Sequence, residues 1–417
     1  AWVPALHIYN VAGLVVLAAP ALEGIMPPDG LAMLFLGMVT GYAVLNTIPS
    51  VFFSAPDDST IFIVLPAQKL LLQKRGYEAA VLSGIGGLGG IVVLALLTPV
   101  ASSLFPALRA ILHPHLHWIL WAIVAYVLLS EWPKGSDRAP AGWRRWWDGW
   151  KSLVAGLATF LLSGVLGFIL LYRSLVPVTV AYQNLLPAFV GLFATPWIVQ
   201  NLLSRVELPE QHVARTLDAT PGVIVRGTLA GGLGGLFAAF FPVVTGGIGG
   251  LLAGHATAQR DDRLFIISQG AAKVVYYVGA LLFFFVPRLH LTRGGMAWML
   301  SGLWTAHSPQ TYTVAVAAVI LSGALSFFLL LFMARIAIKV IGKVTYRSIS
   351  LATLVLLLLV VVGTTGWGGL LICAVATGIG LIPVLWGSRR MNAMGVLLLP
   401  IALNVSGVGG VVARWLG

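Results

Sequence analysis

Charge is what this chain has least of. Charged residues make up 9% of it and hydrophobic residues 59%, where soluble domains carry roughly 25% charged residues. That shortage excludes a soluble globular protein. Acids are scarcer than bases, 13 against 25, and none follows Asp262. Cysteine is reduced to Cys373, inside an apolar run, which excludes an internal disulfide and leaves a small core residue. No signal-peptide pattern is present. The chain starts abruptly at Ala1, so the first helix is expected to be clipped or short. No activated nucleophile, metal-ligand cluster or nucleotide-cradling loop is recognisable, so no enzyme activity and no cofactor are expected.

What is present is a succession of apolar runs near or above the ~18–20 residues that cross a bilayer. The fold class read from them is an all-α polytopic membrane protein with about 10–12 transmembrane or half-length helices, some of them re-entrant or broken. The net charge of +12 does not indicate nucleic acid, because the bases sit in short clusters between apolar runs, as in cytoplasmic loops. The excess suits membrane lipid headgroups and a field that favours anions.

Along the chain, Ile8 to Pro20 is too short for a full span and reads as a half-helix. The glycines from Gly84 to Gly90 suit close helix packing. Tryptophan and arginine alternate from Trp143 to Trp150, predicting a short helix lying in the headgroups. Val176 to Leu203 is interrupted by Pro187 and Pro196, as in a hairpin or a kinked helix. Ser204 to Pro221 is the longest polar segment and divides the chain into two transmembrane repeats, 1–210 and 211–417. The halves echo each other weakly: Pro4 and Pro242 each precede a short apolar piece, then a span, then a phenylalanine cluster. Paired broken segments at matching places in two halves point to a transporter site.

The stretch Asn46 to Thr60 carries two adjacent carboxylates, Asp57 and Asp58, with prolines and hydroxyls between strongly apolar runs. Ionisable groups at membrane depth are costly and face a cavity or a partner. Ser54, Pro56 and Asp57 are spaced as a helix start, whose open N–H groups can hold an anion, with Ser59 close by. In the second half, Thr245, Gly246 and Gly247 offer a comparable nest after Pro242. Lys273 lies inside a span, with Gln269 four residues before it and Tyr277 four after, all on one helix face. A buried lysine needs an anion, either Asp57 or Asp58 or the substrate. Asn10 and Asn46 are further polar groups near breaks. The candidate substrate- and ion-binding set is therefore Asn10, Asn46, Ser54, Asp57, Asp58, Ser59, Thr245, Gly246, Gly247, Gln269 and Lys273, with no metal ligand among them.

Three stretches resemble a known family. Asn46 to Thr60, continuing through Leu65 to Ala79, is similar to a motif block of the large permease subunits of tripartite tricarboxylate transporters, in their shorter archaeal-type relatives. Val3 to Ala12 resembles the family's proline-glycine-leucine-histidine segment, with Ala5 in place of the glycine, and Gly378 to Pro400 resembles its C-terminal block. The resemblance implies an inverted-repeat permease for small carboxylates. In bacterial systems such a permease is assisted by an extracytoplasmic binding protein and a small membrane subunit; a homo-oligomer is also admitted. Two departures stand out: Lys273 replaces an expected neutral polar residue, and Pro242 lacks the usual following glycine.

The reading is a secondary transporter in a prokaryotic cell membrane, multi-pass, driven by an H+ or Na+ gradient and moving di- or tricarboxylates. Two alternatives stay open. A polyprenyl-phosphate-type lipid translocase would show a groove open sideways to lipid. A non-transporting structural subunit of a larger complex would show a packed interior without a polar site.

Overall fold

A computed structural model of the chain describes residues 7–415 apart from 23, 54–56, 58, 134–141, 174, 177–183, 204–208, 215, 306–307, 342 and 344, and apart from the side chains of 10, 341 and 346. Within these residues the chain is helical, with no strand. Among the described residues eight helices are long and apolar enough to cross a membrane, and the shorter apolar Val11–Leu22 accompanies them. The protein is a multi-pass integral membrane protein.

The helices in order are α1 (Ile8–Leu22), α2 (Pro28–Leu45), α3 (Thr47–Phe52), α4 (Val64–Leu72), α5 (Gly76–Leu112), α6 (Leu116–Leu129), α7 (Trp143–Tyr172), α8 (Leu185–Phe189), α9 (Thr195–Leu203), α10 (Pro221–Phe240), α11 (Gly246–Ala256), α12 (Asp262–Phe285), α13 (Gly294–Ser301), α14 (Pro309–Ile341), α15 (Tyr346–Trp386), α16 (Gly395–Val405) and α17 (Gly409–Trp415). Two compact units are made from them, residues 1–110 with 204–353, and residues 111–203 with 354–417.

In the first unit α12 is the central helix, with 89% of its apolar window buried, against 33% for α14. Asp261 starts it, accepting from the N–H groups of Arg263 at 2.6 Å and Leu264 at 3.1 Å, as an N-cap should. Glycine brings its neighbours close. A Cβ on Gly86 of α5 would lie 2.0 Å from the Ile267 carbonyl oxygen, and one on Gly231 of α10 would lie 2.0 Å from that of Ser268. The glycine run at Gly84–Gly90 thus packs helices, as its spacing predicts.

One face of this unit is tied by ions. Glu78 is 1% exposed and accepts from Arg75 at 2.5 Å and Arg263 at 2.9 Å, while Asp218 reaches the same two guanidinium groups. Gln211 is also buried, donating to the Leu71 carbonyl and accepting from the Gly76 N–H. Gln211 and Asp218, in the polar segment before α10, are therefore docked on the α4–α5 corner. Replacing Glu78 with alanine should cost about 2 kcal/mol. The effect stays below that of a fully buried pair because Arg75 keeps about a third of its side chain in solvent. A shift of the thermal midpoint in detergent measures it.

In the second unit α7 packs on α16, where a Cβ on Gly395 would meet the Phe160 carbonyl oxygen at 2.2 Å. The stretch Trp143–Trp150 is not a separate helix in the headgroups. It forms the first turns of α7, which continues to Tyr172. No proline interrupts it, and stacking of Trp143 on Trp146, and of Trp146 on Trp150, holds one helical face together. The span after Asn184 is one apolar helix from Leu185 to Leu203, not a hairpin, with a π turn at Val190–Ala194 between α8 and α9. Cys373 is buried, and a Cβ on Gly191 would lie 2.4 Å from its carbonyl oxygen.

Candidate functional site

The site lies within the first unit and begins where α2 ends. Asn46 caps α2 through its backbone, and α3 follows at once with Pro49 inside it. The chain then returns Asp57 to the side of α2. Its Oδ2 accepts from Tyr42 Oη at 2.8 Å, Asn46 Nδ2 at 2.9 Å and Tyr277 Oη at 3.1 Å. Its Oδ1 accepts from the N–H groups of Ser59 at 3.0 Å and Thr60 at 2.9 Å, and from Thr60 Oγ1 at 2.8 Å. Two oxygens offer about four lone-pair sites, so six donors saturate this carboxylate. Asp57 does not start a helix as its spacing with Ser54 predicts. It caps the turn at Ser59–Thr60, and α4 begins only at Val64. The carboxylate serves the local turn and two tyrosines from elsewhere instead.

Lys273 comes from the middle of α12 and is 1% exposed. Its ammonium donates to Asn46 Oδ1 at 2.7 Å and to Thr47 Oγ1 at 2.5 Å. Asn46 therefore stands between the two charges, with its amide oxygen on the ammonium and its amide nitrogen on Asp57. The pair is bridged, not in direct contact, and Asp57 remains the acid whose field reaches Lys273.

Aromatic groups enclose Asp57. His7, Tyr42 and Tyr277 pack with ring centroids 5.3–5.7 Å apart, and Tyr9 packs against His7 at 4.3 Å with the rings tilted by 55°. Tyr9 N–H donates to His7 Nδ1 at 3.3 Å. In the neutral ring that leaves Nε2 as the N–H, 3.0 Å from Tyr277 Oη. Tyr277 in turn donates to Asp57. A hydrogen-bonded chain thus runs from His7 through Tyr277 to the carboxylate.

The break in the second half reaches the same helix. After α10 the chain passes Pro242 and Val243, whose φ of 58° is strained for a β-branched residue. Thr245 then caps α11, its Oγ1 accepting from the Ile248 N–H at 3.4 Å. Gly246 rests on α12: a Cβ there would lie 2.9 Å from Lys273 Cα and 3.1 Å from Tyr276 Cβ. Gly247 is buried in the same turn. Gln269 faces Gly250 of α11, and neither end of its amide has a partner among the described residues. Ser59 Oγ is likewise buried without one.

Of the residues singled out by sequence, the structure gathers Asn46, Asp57, Ser59 and Lys273 around one centre. It places Thr245, Gly246, Gly247 and Gln269 where α11 meets the same stretch of α12. Ser54, Pro56, Asp58, Pro4 and the Asn10 side chain lie outside the described residues. Sequence reasoning missed Tyr42, Thr47 and Arg293. Tyr42 stands four residues before Asn46, on its helix face, and that spacing was the available signal. Among the described residues no three His, Cys, Asp or Glu side chains gather as a metal site.

Comparison with known proteins bears on residues 1–395, which match the model of the Tripartite tricarboxylate transporter TctA family. The chain is also 27% identical over 418 residues to an uncharacterized protein of Methanocaldococcus jannaschii, covering 96% of this chain and 94% of that protein. No solved structure matches.

Proposed function

Since the chain belongs to the Tripartite tricarboxylate transporter TctA family and is a transporter component, we propose that it is a secondary transporter for small carboxylates, coupled to protons at Asp57. The observation that carries this is the Asp57–Asn46–Lys273 bridge, reached through His7 and Tyr277. An ammonium buried at membrane depth needs an anion. At rest Asp57 supplies it through Asn46. Protonation of Asp57 removes that charge, and Lys273 then favours the carboxylate of a substrate. A proton suits the site better than Na+, because among the described residues every group on the carboxylate is a donor and none offers a cation an oxygen cage.

The division into units supports a repeated architecture. Each unit takes one piece from 1–210 and one from 211–417, apart from a few residues at the join. Two intertwined inverted repeats would divide in that way. The family belongs to a tripartite system with a binding protein and a small subunit, and we take these as the partners, with lipid around the long, outward-facing helices.

The test is Asp57→Asn in the full chain reconstituted into proteoliposomes. Uptake of radiolabelled succinate or citrate should fall on the order of 100-fold, as when a charged partner is removed from a buried site, and the residue of uptake should ignore an imposed pH gradient. Unchanged uptake by this variant would remove Asp57 from the mechanism. Uptake by the wild type that follows a Na+ gradient and not a pH gradient would remove the proton.

A further inference from the structure

Arg293 is a buried cation that the centre around Asp57 leaves unused. It lies in the segment between α12 and α13 and is 9% exposed. Its Nη2 donates to the carbonyl of Ala238 at 3.0 Å, in the last turn of α10, where a cation at a helix C-terminus is favourable. That cap accounts for one nitrogen. Nη1 is buried with no hydrogen-bond partner, and no carboxylate pairs with the guanidinium among the described residues. Burial draws the group down to about 10, opposed by the neighbouring Tyr276 and Tyr9. It therefore stays charged at neutral pH.

Its neighbours join it to the site. Tyr276 stands next to Tyr277, with ring centroids 4.8 Å apart, and its Cβ would be touched by a side chain on Gly246. Tyr9 packs tilted on His7 and lies against Gly295, where a Cβ would come within 3.1 Å of its ring. Arg293 precedes Gly294 and Gly295, and a Cβ on either would meet Tyr9, at 3.5 Å from its Oη and 3.1 Å from its ring, so the arginine borders the aromatic cluster that reaches Asp57 through His7 and Tyr277. The first turn of α11 also meets Tyr276, and helix N-termini favour anions.

We infer that Arg293 is a second anion anchor of this site, the residue that holds a further carboxylate of the substrate beside the one met by Lys273. This rests on the carboxylate-transport reading and deepens it. The charges support it. Among the described residues at the centre, the two cations Lys273 and Arg293 face one carboxylate, Asp57, and protonation of Asp57 leaves both cations without it. Among the described residues the other titratable groups facing the centre are His7, Tyr9, Tyr42, Tyr276 and Tyr277, none of them a carboxylate. A dicarboxylate answers both cations, whereas a monocarboxylate leaves one buried and unpaired. The planar fork of arginine matches a carboxylate with two parallel bonds, which lysine cannot reproduce.

The experiment is succinate uptake by the reconstituted full chain, competed by acetate, succinate and citrate, in wild type, Arg293→Gln and Arg293→Lys. Wild type should prefer succinate over acetate by about 30-fold or more, and Arg293→Gln should lose about that factor for succinate while acetate competes as before. A change in the ratio is a readout that a merely structural cap would not move. Arg293→Gln with wild-type affinity and selectivity overturns the inference, as does wild type that takes acetate as readily as succinate while its uptake still requires Asp57. If Arg293→Gln does not fold, Arg293→Lys decides: it keeps the charge and a donor for Ala238, and succinate affinity should still drop about tenfold, while undiminished affinity overturns the proposal. Wild type that takes up no carboxylate at all overturns the transport reading itself, and this inference with it.

Discussion

Lys273→Met should destabilise the protein by about 3 kcal/mol and end uptake, and adding Asp57→Asn to it should return most of the stability and none of the uptake. The first part follows from what the ammonium satisfies. Removing one member of a buried charge pair typically costs 3–5 kcal/mol, because the other is left uncompensated. Here the lower end applies, since Asp57 is only partly buried and keeps six donors. The loss also strands Asn46 Oδ1, in a residue 3% exposed, and an unsatisfied buried acceptor costs about 1–3 kcal/mol; Thr47 Oγ1 keeps the Val44 carbonyl and Ser83 Oγ. Methionine fills a similar volume, so a cavity adds little.

The second part separates structure from mechanism. With asparagine at position 57 there is no charge left to compensate, and a neutral pair in a buried site is often as stable as the ionic one. The two changes should therefore couple by about 1–3 kcal/mol in a double-mutant cycle read from thermal midpoints in detergent. A purely structural pair would recover function along with stability. Additive losses, with no recovery in the double variant, would show that Asn46 insulates the charges from each other.

The polarity of this centre was legible because it is local. Asn46, Asp57 and Ser59 fall within one short stretch, and Gln269, Lys273 and Tyr277 announce a shared helix face by their spacing alone. That Gln269 turns instead to α11 was not legible, since it depends on Gly250 leaving room for the amide. Arg293 was invisible for a related reason. Next to Gly294 and Gly295 it reads as an ordinary loop cation, and only the packing of α10 and Tyr9 around it buries the guanidinium. Of the helix start expected at Ser54–Asp57, residues 54–56 lie outside the described residues; Asp57 itself serves the N–H groups of the turn at Ser59–Thr60, since a capping side chain takes the N–H groups nearest to it. Span positions were the easiest to read, as apolar length alone decides them. Their grouping into units was not, because each unit draws on both halves of the chain.

Gly231→Ala should prevent accumulation of folded protein, while the same change at the adjacent Gly232 should be tolerated. The helices α10 and α12 cross where glycines at 227, 231 and 235 repeat every four residues and form one face. A Cβ at Gly231 would lie 2.0 Å from the Ser268 carbonyl oxygen and 2.8 Å from Ala271 Cβ. The first of these is backbone and cannot rotate away, so the helices must separate. Overpacking a tight contact costs typically 1–3 kcal/mol, and a backbone clash of this depth puts the cost at about 3 kcal/mol or more. Gly232 points elsewhere on α10: its nearest neighbours are Val93 side-chain carbons at 3.4 Å, an ordinary contact, and alanine there gains up to about 1 kcal/mol of helix propensity. Yield and thermal midpoint of the two variants, expressed side by side, make the comparison. The consequence reaches the site directly, because Ser268 precedes Gln269 and lies just over one turn before Lys273. A displaced α12 carries the ammonium away from Asn46 and Thr47, so any Gly231 variant that does fold should lose uptake more than it loses stability. Equal behaviour at both glycines would mean that α10 and α12 do not meet in this register, and the position of Lys273 beside Asn46 would lose its support.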